Sequence, residues 1–114
     1  MQKKIFQALA ELESGDQAGV FCTIVRSQGS TPRGVGSKMI VYPDGSILGT
    51  VGGGEVEGRV IDEALDSLKS GTSMILTYSM VDTVRGDPGV CGGQLEVFLE
   101  PILPPPTLLL IGGG

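Results

Sequence analysis

The chain has 114 residues, no histidine and a formal charge of −5. That is the length of one ordinary domain. It excludes histidine-based nucleophile pairs and histidine-ligated metal sites, and it gives no basic stripe for tracking nucleic acid. With 40% hydrophobic residues disorder is excluded too, and the 19 glycines follow no G-X-Y period.

Residues 2–14 predict a helix, with Ile5, Phe6, Leu9 and Leu12 on one apolar face and Gly15 as its stop. Two lysines followed by apolar residues resemble a signal peptide. Gln7, Glu11 and Glu13 interrupt that pattern and no A-x-A site follows, so a cytoplasmic protein is expected. No apolar run reaches membrane-spanning length, and no membrane partner is expected. Residues 21–26 predict a strand, 27–36 a loop and 38–42 a second strand. Pro43, Asp44 and Gly45 form a tight-turn signal, and 46–51 returns as the third strand. Gly52, Gly53 and Gly54 then open a second helix carrying Val56, Val60, Ile61, Ala64, Leu65 and Leu68 as one stripe. Lys69 and Gly71 mark its end. A strand at 73–78, a loop at 81–93 and an alternating strand at 94–100 complete the set.

Together these predict an α+β (α/β) domain, with a mixed sheet of five to six strands and two main helices. If each strand and the second helix crosses the domain once, the glycine-rich loops at 27–37, 52–54 and 80–93 share one end. Residues 101–106 read as a proline connector, and 107–114 (TLLLIGGG) as an apolar strand entering a glycine turn. The expected division is therefore a domain at 1–103 and, at 104–114, a linker and first strand of a further Rossmann-like domain, or else simply a terminal strand of this one.

The chemistry-bearing candidates lie in those loops. Backbone N–H groups of Gly52, Gly53 and Gly54 at a helix start suit an anion such as phosphate, or else a tight turn alone. Glu55 and Glu57 complement the helix dipole, oppose an anion there, and suit the amino and amide groups of a heterocycle. Arg33, behind the stiff Pro32, offers a bidentate contact to phosphate or a heterocycle; Arg85 has a weaker claim. Lys38 reads as a surface residue. Cys91, beside Gly92 and Gly93, is an approachable thiol fit to carry sulfur or meet a soft metal, or else a small core residue. Cys22, inside a strand, reads as core, and a Cys22–Cys91 disulfide is not expected. No metal site is expected.

In order and spacing, several stretches resemble the N-terminal domain of the XdhC/CoxI family. They are GSTPRG at 29–34, GSKMIV at 36–41, Asp44-Gly45, GTVGGG at 49–54 with Glu57, and CGG at 91–93 leading to Glu100-Pro101. The final LLLIGGG at 108–114 resembles the start of that family's Rossmann-like domain. The resemblance implies an accessory factor for molybdenum hydroxylases of the xanthine dehydrogenase or CO dehydrogenase type. Such a factor binds molybdenum cofactor, assists its sulfuration with a cysteine desulfurase, and delivers it to the large subunit of the target enzyme. It implies a chaperone rather than an enzyme with its own turnover, and NAD(P) is not expected for this stretch of chain. Carried onto this sequence, Cys91 handles sulfur or the metal. Arg33, Gly52, Gly53, Gly54, Glu57, Gly92 and Gly93 hold the cofactor. Glu55 stands where many relatives have a small residue or cysteine, so no sulfur role is carried to it. Two other readings remain open: half of a nicotinamide-dependent oxidoreductase, and a non-catalytic assembly module. A homodimer is expected under any of them, because small domains with sheet edges pair.

Overall fold

A computed structural model describes residues 2–15, 17–29, 34–80 and 93–104. Helix α1 (Gln2–Ser14) is closed by Gly15, whose N–H donates to the Glu11 carbonyl at 2.9 Å. Strand β1 (Gly19–Gly29) runs three residues further than its apolar pattern suggests. The reason is its partner. Beyond Ile24 the strand is held by the last of the described strands, through Arg26↔Glu96 to Gly29↔Gly93. Val25 is the extra residue of a bulge at that step.

β2 (Lys38–Val41) and β3 (Ile47–Gly49) form the expected hairpin. At its turn the Asp44 carboxylate accepts the Ser46 N–H at 2.9 Å and the Ser46 hydroxyl at 2.6 Å. Helix α2 (Gly54–Ser70) follows, and Gly71 ends it in the left-handed conformation at φ 72°, donating to the Ser67 carbonyl at 2.8 Å. β4 (Met74–Met80) and β5 (Gly93–Ile102) complete the domain. β5 includes Pro101, which the sequence places in a connector. β4 begins only opposite Leu99, so β5 has β1 as its sole neighbour at Pro101 and the missing N–H is tolerated.

The five strands lie in the order β3-β2-β1-β5-β4. The domain is α+β as expected, with two helices and five strands among the described residues. The sheet itself is antiparallel between all neighbours, not mixed. β3 and β4 do run in the same direction, as the crossover through α2 requires, but they occupy opposite edges and never pair.

The helices cover opposite faces. Val56, Val60 and Ala64 of α2 pack on Val20, Cys22 and Ile24 of β1 and on Leu95, Val97 and Leu99 of β5. Burying each such valine or leucine stabilises the fold by roughly 1.5–3 kcal/mol. Ile5 and Leu12 of α1 pack on Ile40 of the other face, with Phe21, Tyr42 and Leu48 around them. One polar residue of α2 is buried, Ser67, and its hydroxyl donates to the Thr72 carbonyl at 2.6 Å.

Candidate functional site

Strand directions gather the glycine-rich connections. β1 leaves the sheet at Gly29, β3 at Gly49 and β4 at Met80, while β5 enters at Gly93. The antiparallel registers put these four ends on one side, with Gly93 facing both Gly29 and Met80. The end of β1 and the start of β5 are therefore neighbours in the sheet, and the end of β4 lies on the other side of β5. Arg33, Arg85, Cys91 and Gly92 lie outside the described residues. Gly93 is the first residue of β5.

The turn before α2 is built by φ angles that disfavour any side chain. Gly52, Gly53 and Gly54 have φ of 139°, 78° and 61°. Open space lies beside Gly53 and Gly54: a Cβ added to either meets no atom within 4 Å. Their glycine identity serves backbone path and access rather than close packing.

Two of the three N–H groups are already engaged. Gly52 donates to Thr50 Oγ1 at 3.0 Å, and Gly53 donates to Glu57 Oε1 at 3.2 Å. Thr50 Oγ1 in turn donates to Glu57 Oε1. Glu57 thus reaches back over the helix start and ties the turn to α2, as a capping carboxylate does. Both bonds end on Oε1. Glu55, one position into the helix, is exposed and accepts a bond from the Tyr78 hydroxyl at 3.3 Å. Partial burial, then the negative charge of Glu55 and the bond to it, hold the Tyr78 phenol above its ordinary pKa, with Arg59 pulling the other way.

This end of the molecule is accordingly rich in acceptors. An anion at the Gly52–Gly53 backbone meets occupied donors and two nearby carboxylates. The N–H and NH₂ groups of a heterocycle meet acceptors instead. Thr50 and Tyr78 are parts of the end that composition alone does not single out. Thr50 lies two residues before the first of the three glycines. Tyr78 is a polar-headed residue near the end of a strand whose direction the parity of crossings gives.

Other candidates fall elsewhere. Lys38 Nζ donates to the Gly36 carbonyl at 2.8 Å and sits 5.9 Å from the Phe6 ring centre, closing the loop that returns to β2. Cys22 is fully buried and free, and burial pushes its thiol pKa up to about 12. A shallow depression lined by Gln17, Tyr42, Pro43, Asp44 and Ser46 lies at the hairpin turn, the opposite end of the sheet. Among the described residues no group of three or more acidic or cysteine side chains could hold a metal ion. Among them no helix is long and apolar enough to cross a membrane.

Comparison with known proteins places this arrangement in a lineage. The model of the XdhC and CoxI family matches residues 12–79, more than half of the chain, and the chain belongs to that family. The match includes Arg33, Gly52, Gly53, Gly54 and Glu57 and ends before Cys91. The chain is 40% identical, over 96% of its length, to 20% of the uncharacterised Escherichia coli K12 protein YqeB. It is 32% identical, over 91% of its length, to 32% of the E. coli K12 molybdenum cofactor insertion chaperone PaoD. Among solved structures it resembles a Bacillus halodurans protein described as a xanthine dehydrogenase. The TM-score is 0.67 at 28% identity, covering 84% of this chain and 30% of that one. The chain thus spans a third or less of each of these proteins.

Proposed function

We propose that this chain binds molybdenum cofactor and acts as an accessory factor in maturing a xanthine dehydrogenase-type or CO dehydrogenase-type molybdoenzyme. The observation that carries this reading is the family membership, reinforced by 32% identity to a molybdenum cofactor insertion chaperone across 91% of the chain. Its role is stoichiometric handling of a cargo rather than turnover of a metabolite.

The cargo has an anionic phosphate at one end and a pterin with N–H and NH₂ donors at the other. The acceptor-rich turn at Thr50, Glu55 and Glu57 suits the pterin edge. The open glycine backbone at Gly53 and Gly54 lets a flat ring approach without a Cβ in its way. Arg33 takes the phosphate through a bidentate contact. The Gly54 N–H is a backbone donor for the cofactor, Gly52 and Gly53 contribute shape, and the resemblance assigns Gly92 and Gly93 to cofactor binding as well. Cys91 handles sulfur. A cysteine desulfurase persulfide gives its terminal sulfur to the Cys91 thiolate, the desulfurase cysteine leaving as thiolate. The partners are that desulfurase and the large subunit of the target enzyme, in the cytoplasm, with the factor acting as a homodimer. Residues 1–103 form the cofactor-handling domain, and 104–114 lead into a Rossmann-like one.

The test is reconstitution of a cofactor-free xanthine dehydrogenase-type enzyme under anaerobic conditions. Cofactor, desulfurase and cysteine are supplied with the wild-type chain, Arg33→Ala or Cys91→Ala. Wild type raises the yield of active enzyme, Arg33→Ala does not, and Cys91→Ala delivers molybdenum without the sulfido form. Equal yields with and without the chain refute the reading. Equal sulfuration by Cys91→Ala removes the role of that thiol.

A further inference from the structure

The two edges of the sheet are not alike. β3 is three residues long and ends in Gly49 at φ 83°, so it offers little ladder to a newcomer. β4 is seven residues long, MILTYSM, with no charge, proline or glycine. Its pairing with β5 runs without a register shift from Met74↔Leu99 to Met80↔Gly93, so no bulge twists the outer edge away. Among the described residues neither helix covers its outer edge. α2 lies chiefly over β5 and β1, and α1 lies over β2 at the far side. Ile75 is 58% exposed, and Thr77 and Ser79 are exposed beside it. Free-standing edges are ordinarily guarded by charge, proline, a bulge or shortness, and β4 lacks all four.

We propose that the outer edge of β4 pairs antiparallel with β4 of a second copy, about a two-fold axis at Thr77, joining two five-stranded sheets into one. This deepens the homodimer reading above and rests on it. An isologous contact must be complementary to itself, and this one is. With Thr77 on the axis, all seven residues overlap: Met74 faces Met80, Ile75 faces Ser79 and Leu76 faces Tyr78. No charge meets its like. Each strand gains a ladder on the side where no described strand pairs with it, the same backbone recognition used in strand addition. The axis also sends the two glycine-rich ends to opposite poles. Neither obstructs the other, and each dimer presents two cofactor sites.

Glu96 supplies a sharp test. It is the register partner of Thr77 on β5, so the two share a face of the sheet. In a Thr77→Glu dimer the two introduced carboxylates meet at the axis with a Glu96 outside each, and Arg26 of β1 beyond it offsets only the outer charge. In a Thr77→Lys dimer each lysine has its own Glu96 alongside, which softens the repulsion. Sedimentation velocity on the whole chain, over a concentration series, reads the outcome. Wild type is a dimer. Thr77→Glu raises the dissociation constant by roughly tenfold or more, and Thr77→Lys by less. An equimolar mixture of the two variants restores the dimer, which a merely misfolded variant cannot do. Unchanged circular dichroism and melting of each variant check the fold. A wild-type monomer at all concentrations overturns both the homodimer and this surface. A wild-type dimer that Thr77→Glu leaves equally tight overturns the β4 surface alone.

Discussion

Gly49 and Gly53 both hold left-handed φ angles, at 83° and 78°, yet they sit in opposite surroundings. A Cβ at Gly49 falls 2.6 Å from the Lys38 carbonyl oxygen, 2.7 Å from Ile5 Cδ1 and 3.4 Å from Met39 Cα. The Ile5 methyl could rotate away only inside a packed site, since Ile5 is 1% exposed. The Lys38 carbonyl belongs to β2, beside the Met39↔Gly49 pair, and moving it disturbs the hairpin ladder. Gly49→Ala therefore combines backbone strain of about 1–2 kcal/mol with overpacking of about 1–3 kcal/mol, for a loss of about 2–5 kcal/mol. At Gly53 the same Cβ meets nothing within 4 Å, so only the strain remains, about 1–3 kcal/mol because φ 78° with ψ −178° is a conformation nearly confined to glycine. Urea unfolding followed by far-ultraviolet circular dichroism measures both, provided the m values agree. Gly49→Ala should unfold at clearly lower urea than Gly53→Ala. Equal midpoints would refute the division of the glycines into packing and access positions, and with it the openness of the turn before α2.

Removing the Glu57 carboxylate leaves the Thr50 hydroxyl and the Gly53 N–H without their acceptor. Glu57→Ala should cost about 1–2 kcal/mol in the same unfolding assay, with Glu57→Gln costing less because an amide oxygen still accepts. Cys22 should resist alkylation at neutral pH in the native state and react on unfolding, since burial keeps it a neutral thiol. Its raised pKa also sets a sign for stability. The folded state holds the Cys22 proton more tightly than the unfolded state. The contribution is therefore whole below pH 9.0 and is lost as pH rises toward about 12. The slope from this group is at most about 1.4 kcal/mol per pH unit, seen as a falling unfolding midpoint that Cys22→Ala abolishes.

Much of this domain is legible in its residues. The stripe Val56, Val60, Ala64 and the stop at Gly71 give α2 because helix packing and capping are local effects. The Pro43-Asp44-Gly45 signal gives the hairpin for the same reason. Strand directions follow from counting crossings, which is why the glycine-rich connections were expected to share an end. Strand neighbours do not follow from counting. A crossover through α2 permits β4 to lie beside β3, but hydrophobic burial sets β5 beside β1 and sends β4 to the far edge. Residues Ser27, Gln28 and Gly29 look like loop in sequence, and only their long-range pairing with Leu95, Gln94 and Gly93 makes them strand. At the site, glycines and carboxylates are visible as residue types. That Glu57 turns back to hold Gly53 and Thr50, and that Tyr78 meets Glu55 across 23 positions of sequence, depends on tertiary placement.

The central claim is that this chain itself holds molybdenum cofactor at its glycine-rich end. Anaerobic titration with the cofactor, followed by gel filtration and molybdenum analysis of the protein peak, tests it most directly. The wild-type chain should retain cofactor near-stoichiometrically and Arg33→Ala should lose it, with Gly49→Ala retaining cofactor under conditions where it is folded. Retention that is absent in the wild type, or untouched by Arg33→Ala, would contradict it.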